Sequence, residues 1–126
     1  MKSALLVFIG GGLGSLARYA VSLLFKHQLN AKLDLFGTLT VNILGSLLIG
    51  LLMGWMLKSE TTHQNLHLLL VVGFCGGFTT FSSFSADNLN LLKNNLYTEF
   101  LLYSIGSLIL GLLAVFIGFL MVKKGI

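Results

Sequence analysis

The sequence predicts an all-α integral membrane protein with four transmembrane helices, and two observations carry this prediction. The chain has 126 residues, of which 56% are apolar and 10% are charged, whereas soluble domains carry about 25% charged residues. A chain this short cannot bury so much apolar surface in a soluble core, and disordered chains are polar. Four apolar segments also reach the length of about 20 residues that a spanning helix needs.

The four predicted helices follow one another closely and leave no room for a soluble domain, so we interpret residues 1–126 as a single transmembrane domain. The helices cover about residues 3–25, 35–57, 66–92 and 100–122. The first contains Arg18 and the third contains Asp87. The residues before Arg18 imitate a cleaved signal peptide, but the apolar stretch continues to Phe25 and no polar region follows, so we expect a retained helix.

The second helix has a polar face in an otherwise apolar segment. Thr38, Asn42, Gly45 and Ser46 stand at i, i+4, i+7 and i+8, which places them on one side of a helix. A buried amide in lipid needs hydrogen-bond partners. Two interpretations of Asn42 stay open: it holds helices together, or it donates hydrogen bonds to something moving along a pathway.

The third helix has the densest pattern, with glycines and hydroxyl residues between Gly73 and Ser85. The pair Gly76-Gly77 weakens a helix, and serine and threonine side chains compete for backbone hydrogen bonds. We therefore predict that the third helix is broken near its middle, inside the membrane. Unwound backbone there frees carbonyls to ligate a cation and amides to face an anion.

A row of phenylalanines, Phe78, Phe81 and Phe84, extends along one side of this segment. The edge of an aromatic ring is partially positive, so converging ring edges attract a small anion without holding it tightly. The alternative is an ordinary packing or lipid-facing role. Arg18 and Asp87 are ionisable groups within or at the edge of spans, which makes them functional candidates, although both can also reach the interface.

Several classes of function are excluded by what the sequence lacks. It has no phosphate-binding loop, no candidate catalytic triad and no clustered metal ligands, so we predict that it is not an enzyme. Its lone cysteine, Cys75, permits no internal disulfide and favours a packing role. The formal charge of +4 comes largely from lysines at helix ends, which suits lipid headgroups and indicates no nucleic acid partner.

Basic residues are almost equally divided between the two ends of the predicted bundle. One side has Lys2, Lys58, Lys123 and Lys124, and the other has Lys26, Lys32 and Lys93, with Arg18 near it. Orientation in a membrane follows an imbalance of such charges, so we expect insertion in both orientations. The alternative is a weak bias set by another signal.

Pairs of glycines four residues apart let helix backbones approach closely in lipid. Three such pairs occur: Gly10 and Gly14, Gly50 and Gly54, and Gly73 and Gly77. They are compatible with packing inside one subunit and with a dimer, which insertion both ways would make antiparallel.

The chain resembles the Fluc-type (CrcB) fluoride channels of bacteria over all four helices. The resemblance is carried by residues 10–19 (GGGLGSLARY), 37–42 (GTLTVN) and 73–84 (GFCGGFTTFSSF). It implies a dual-topology antiparallel homodimer in the bacterial cytoplasmic membrane, with two fluoride pathways that export the ion passively and so reduce its toxicity.

Residue by residue, the resemblance implies the following roles. Phe81 and Phe84 match pore-lining phenylalanines, and Asn42 matches the pore asparagine. Ser82 and Ser83 match a track of hydroxyls. We add Thr38 to the pathway because it lies on the polar face of the second helix. Gly76 and Thr79 match residues whose backbone carbonyls hold a structural sodium ion at the dimer interface. Arg18 has a structural or vestibule role.

Two positions depart from the family pattern. Asp87 stands where the family often has glutamate. On the fourth helix, Tyr103 begins a stretch where the family often shows N-x-x-G-S, while Ser107 is retained, and we place both in the ion pathway.

Two other functions compete with a channel. A small dual-topology multidrug antiporter needs a carboxylate embedded in the membrane, and the first helix offers Arg18 instead. A membrane scaffold held by its glycines would leave the cluster of hydroxyls and phenylalanines unexplained.

Overall fold

The computed structural model describes residues 1–28, 34–59 and 63–125, and within these ranges the secondary structure is helical, without strands. Lys32, part of the charge count above, lies outside them. Helices are numbered in chain order: α1 (Lys2–Gln28), α2 (Asp34–Lys58), α3 (Gln64–Leu66), a π-helical stretch (His67–Cys75), α4 (Gly76–Phe78), α5 (Phe81–Lys93) and α6 (Tyr97–Lys123).

Four stretches of the described chain are long and apolar enough to cross a membrane, which confirms the predicted number of spans. They are Lys2–Lys26, Leu35–Lys58, Gln64–Lys93 and Tyr97–Lys123. The observed ends lie beyond the expected ones; α6, for example, begins at Tyr97 rather than near residue 100. A hydropathy count stops at the first polar residues, whereas helical hydrogen bonding continues through them.

Glycines on α1 bring its backbone against the first half of the third span. A Cβ on Gly10 would overlap the Leu69 carbonyl oxygen, and one on Gly14 would overlap the Phe74 carbonyl oxygen. The two backbones touch directly, so this pair of glycines packs within the chain.

A similar contact joins α2 to α6. A Cβ on Gly50 would overlap the Val115 carbonyl oxygen, and one on Gly118 would overlap the Leu47 carbonyl oxygen. The helix pairs α1 with the first half of the third span, and α2 with α6, form the body of the bundle.

The third span changes its backbone geometry along its length. Its first half is largely π-helical up to Cys75, a fully buried free thiol that fits the predicted packing role. Helical geometry ends at Phe78 and resumes at Phe81. Thr79 (φ −77°, ψ 159°) and Thr80 (φ −151°, ψ 116°) between them are extended.

A tight turn joins α5 to α6. The Leu96 amide donates to the Leu91 carbonyl (2.9 Å) and the Asn95 amide to the Leu92 carbonyl (3.1 Å). These two bonds form a Schellman motif, which ends a helix with a residue in the left-handed conformation. Here that residue is Asn95 (φ 58°), and asparagine tolerates this conformation better than most residues. The turn sets α6 beside α5, so that residues near Phe84 and Tyr103 become neighbours.

Candidate functional site

The side chain of Asn42 holds the extended segment of the third span. Its Oδ1 accepts a hydrogen bond from the Thr80 amide (2.7 Å), and its Nδ2 donates to the Thr80 carbonyl (3.1 Å). Both backbone groups of Thr80 are thus satisfied by one side chain of α2. An amide nitrogen carries two hydrogens, so one N–H of Asn42 remains for a further acceptor.

Thr80 is the hub of the hydroxyl cluster and the N-cap of α5. Its Oγ1 accepts from the Ser83 amide (3.1 Å) and donates to Ser83 Oγ (3.1 Å), and Ser82 Oγ lies 3.2 Å away. Thr80 was not among the site residues predicted from the sequence. The signal was present in the sequence, because threonine is a common N-cap residue, whose side-chain oxygen accepts a hydrogen bond from the amide three residues later.

The same bonds free two carbonyls, those of Gly76 and Thr79. In an uninterrupted helix the Gly76 carbonyl would accept from the Thr80 amide and the Thr79 carbonyl from the Ser83 amide. Both amides donate to side-chain oxygens instead. Gly76 is also exposed, with open space where a Cβ would stand. Carbonyl oxygens without their helical donors are suitable ligands for a hard cation such as sodium.

A cavity of about 310 Å³ lies between α2, the extended segment and α6. It contains four of the predicted pathway residues and some neighbours. Its lining consists of Asn42, Ser46, Ile49, Thr79, Thr80, Phe81, Phe84, Ser107, Leu108 and Gly111. The Ser107 Oγ is buried and has no hydrogen-bond partner among the described residues, so its hydroxyl is available to a ligand in the cavity.

Three aromatic rings extend in a row from this cavity. The centroids of Phe81 and Phe84 are 5.7 Å apart, and those of Phe84 and Tyr103 are 5.3 Å apart, with planes tilted by 38° and 36°. Tilted rings present edges as well as faces to their neighbours. Phe81 is 79% exposed, so one side of the row is open in the single chain.

The far end of the row is polar. The Tyr103 hydroxyl donates to Asp87 Oδ2 (2.9 Å), and the Thr38 side chain lies near that hydroxyl. The structure therefore brings together Thr38, Asp87 and Tyr103, which the sequence places on three different helices. Because Tyr103 has one hydroxyl hydrogen, which it gives to Asp87, its oxygen is held rather than free to turn.

Arg18 lies away from this arrangement. It is half-buried on α1, and none of the described residues of α1 lines the cavity. His63 stacks on Trp55 with centroids 4.7 Å apart, and its Nε2 lies 2.6 Å from Ser59 Oγ. His63 and Trp55 thus pack together at one end of the bundle.

Two further polar residues of the site, Asn88 and Ser104, were not predicted from the sequence. Asn88 is 8% exposed; its Nδ2 donates to the Phe84 carbonyl (3.1 Å), and its Oδ1 accepts from Ser104 Oγ (2.8 Å). A weak signal existed, since Asn88 directly follows Asp87, a vestibule or structural candidate, and Ser104 directly follows Tyr103, a pathway candidate.

Comparison with known proteins gives a consistent result. The family described as CrcB-like protein, Camphor Resistance (CrcB), matches residues 5–119. Proteins named fluoride-specific ion channel FluC are similar over nearly their whole length. That of Gloeothece citriformis is 50% identical, covering 99% of this chain and 100% of the relative. That of Phocaeicola vulgatus is 47% identical, covering 94% of this chain and 96% of the relative. That of Gloeobacter violaceus is 44% identical, covering 98% of each.

Proposed function

The chain belongs to the CrcB-like family, and on this basis we propose how it conducts fluoride. It is a multi-pass membrane protein and a fluoride channel, not an enzyme. We place it in the bacterial cytoplasmic membrane, where passive export of fluoride lowers the concentration of the toxic ion inside the cell.

The observation that carries the proposed pathway is the unpartnered Ser107 hydroxyl beside the aromatic row. Fluoride is small and strongly hydrated, so a pathway must replace its water with hydrogen-bond donors. Ser107 and the second N–H of Asn42 supply donors, and Phe81 and Phe84 supply ring edges. Ring edges attract an anion weakly, and conduction requires binding that also allows the ion to leave.

Two groups extend this pathway on either side. Ser83 Oγ accepts from Thr80, so its own hydrogen is free to point toward an anion, and Ser82 lies next to the same hub. At the other end, Thr38, Tyr103 and Asp87 form a mouth in which the carboxylate holds the tyrosine in place. Arg18, on α1, contributes to structure or to the potential of the vestibule.

The interruption at Thr79 and Thr80 lies, in this proposal, inside the membrane and at the centre of a dimer. The Gly76 and Thr79 carbonyls of two chains would provide four oxygen ligands for a structural sodium ion. The freed carbonyls and the open space at Gly76 support this assignment. A second chain is required because the two carbonyls of one chain are too few to coordinate the ion. The bound ion would supply positive charge that ties the two subunits together.

An antiparallel homodimer with dual topology completes the proposal. Phe81 is 79% exposed in the single chain, so a second copy is needed to close the pathway around it. The nearly balanced lysines of the two membrane faces support insertion both ways.

Fluoride efflux from proteoliposomes tests the proposed function directly. The purified protein is reconstituted, valinomycin clamps the membrane potential, and an electrode records fluoride released down its gradient. We expect rapid efflux of fluoride and none of chloride. Dimers that are well folded but release no fluoride would overturn the proposal and favour a scaffold, whereas proton-coupled drug uptake would favour an antiporter.

A further inference from the structure

Two polar bridges connect α5 to α6 at consecutive positions. Asp87 accepts a hydrogen bond from the Tyr103 hydroxyl (2.9 Å), and Asn88 accepts one from the Ser104 hydroxyl (2.8 Å). The first bridge belongs to the mouth of the proposed pathway. The second is formed by the buried Asn88 and by Ser104, and neither residue is among those that line the cavity.

Asn88 bonds both a backbone carbonyl of its own helix and a side chain of α6. Its Nδ2 donates to the carbonyl of Phe84, one turn earlier on α5, while its Oδ1 accepts from α6. A single amide therefore ties the backbone at Phe84 to Ser104, the neighbour of Tyr103. Phe84 and Tyr103 are the two residues whose rings meet at 5.3 Å.

Apolar packing of α5 within the chain is sparse. Among its residues, all of them described, the buried ones are Asn88 and Leu91. One of the two buried residues of this helix is thus polar. A buried amide has a strongly preferred geometry, because unsatisfied donors and acceptors are costly.

We infer that Asn88 and Ser104 form a positioning clamp for fluoride passage, holding α5 against α6 so that Phe84 lies against Tyr103 beside the Ser107 cavity. The inference rests on the proposed pathway. The clamp does not touch the ion. Its effect is to fix ring edges and hydroxyls where they replace the water of a small anion, so a loosened clamp slows fluoride and discriminates less against larger anions.

The test compares three substitutions with a control on the same helix. Asn88→Leu removes both hydrogen bonds at similar volume, Ser104→Ala removes one oxygen, and Ser104→Thr keeps the hydroxyl. Leu91→Ala is the control, because it removes buried apolar contact from α5 without cutting the clamp. Each variant is reconstituted, and efflux of fluoride and of chloride is measured per assembled dimer.

We expect S104A, which removes one hydrogen bond, to lower fluoride efflux about fivefold, and N88L, which removes both, to lower it further. Both should raise chloride efflux relative to fluoride. S104T should restore both the fluoride efflux and the selectivity of fluoride over chloride. L91A should reduce thermal stability while its folded dimers keep normal efflux and selectivity. With 4-fluorophenylalanine at position 84, the fluorine resonance should shift in N88L and S104A and stay in place in L91A.

The proposed function and the clamp can fail separately. If Phe84→Ile impairs efflux while N88L and S104A conduct and select normally, the clamp is overturned and the pathway stands. If L91A changes selectivity as much as S104A does, the effect is general loosening of α5, which also overturns the clamp. Normal efflux in F84I would overturn the pathway itself. S104A, the milder change, keeps the test available if N88L does not assemble.

Discussion

Ser107 differs from the other described hydroxyls of the site because its oxygen is buried without a partner. Ser107→Ala should therefore lower fluoride efflux about tenfold, since a hydrogen bond to an ion contributes about 1.5 kcal/mol or more. Efflux from proteoliposomes measures this. Ser85→Ala is the matched control, because Ser85 is exposed and donates to the Phe81 carbonyl of its own helix (3.0 Å). Equal loss in both variants would remove Ser107 from the pathway.

The two phenylalanines should matter for conduction more than for assembly. Phe81→Ile and Phe84→Ile remove ring edges while keeping apolar bulk, so we expect reduced fluoride efflux with the dimer retained on size-exclusion chromatography. Phe8→Ile on α1, where the ring is 78% exposed and outside the cavity lining, should leave efflux unchanged. Undiminished efflux in F81I and F84I would return the rings to a packing or lipid-facing role.

Asn42 joins a structural task to a proposed conducting one. Asn42→Asp keeps the acceptor for the Thr80 amide but replaces the donor with a carboxylate oxygen beside the Thr80 carbonyl. It also places negative charge next to an anion path. We expect both slower efflux and a stability loss of about 1–3 kcal/mol, measured by efflux and thermal unfolding in detergent. A less stable but fully conducting variant would restrict Asn42 to holding the helices.

At the scale of elements, the glycines of α1 allow a clean comparison. Gly10→Ala should destabilise the protein by about 1–3 kcal/mol, because overpacking has that cost and the new Cβ would overlap the Leu69 carbonyl oxygen. Gly12→Ala is the matched control, since nothing lies within 4 Å of a Cβ there. Thermal unfolding of the two variants in detergent measures the difference in stability. Equal unfolding temperatures would contradict the close backbone contact at Gly10.

The elements also show how far the sequence could predict the structure. The four spans followed from apolar length alone, and the polar face of α2 followed from helical spacing. Glycines and hydroxyls of the third span indicated a weak helix, and the extended residues are at Thr79 and Thr80. The π-helical stretch carried no such signal, because its wider turns accompany contact with α1 rather than any local residue preference.

The site was predictable where side chains carry obvious chemistry and less so where they act through partners. Phe81, Phe84, Asn42 and Ser107 were selected and share the cavity. Thr80 was missed because its importance depends on Asn42, 38 positions away. Asn88 and Ser104 were missed because each has a purpose only when α5 and α6 lie side by side. Tertiary pairs of this kind are not encoded in a local pattern.

For the whole molecule, the distribution of lysines should control function through orientation. Replacing Lys123 and Lys124 by alanine removes two of the four lysines from one membrane face, so one orientation should predominate. Paired C-terminal reporters, one active on each side of the membrane, should give two signals for the original chain and mainly one for the variant. Fluoride efflux should fall with the minority orientation. A single signal from the original chain would contradict dual topology.

The bonds between Asn42 and Thr80 also have a consequence for biogenesis. During synthesis the second span leaves the ribosome before the third, so Asn42 is already available to pair with Thr80 when Thr80 is synthesised. A third span released alone into lipid would have to pair its own backbone groups and so would favour a continuous helix. We therefore expect the extended segment at Thr79 and Thr80 to form only when the second span is present, so a chain synthesised as two fragments should need both fragments to fold.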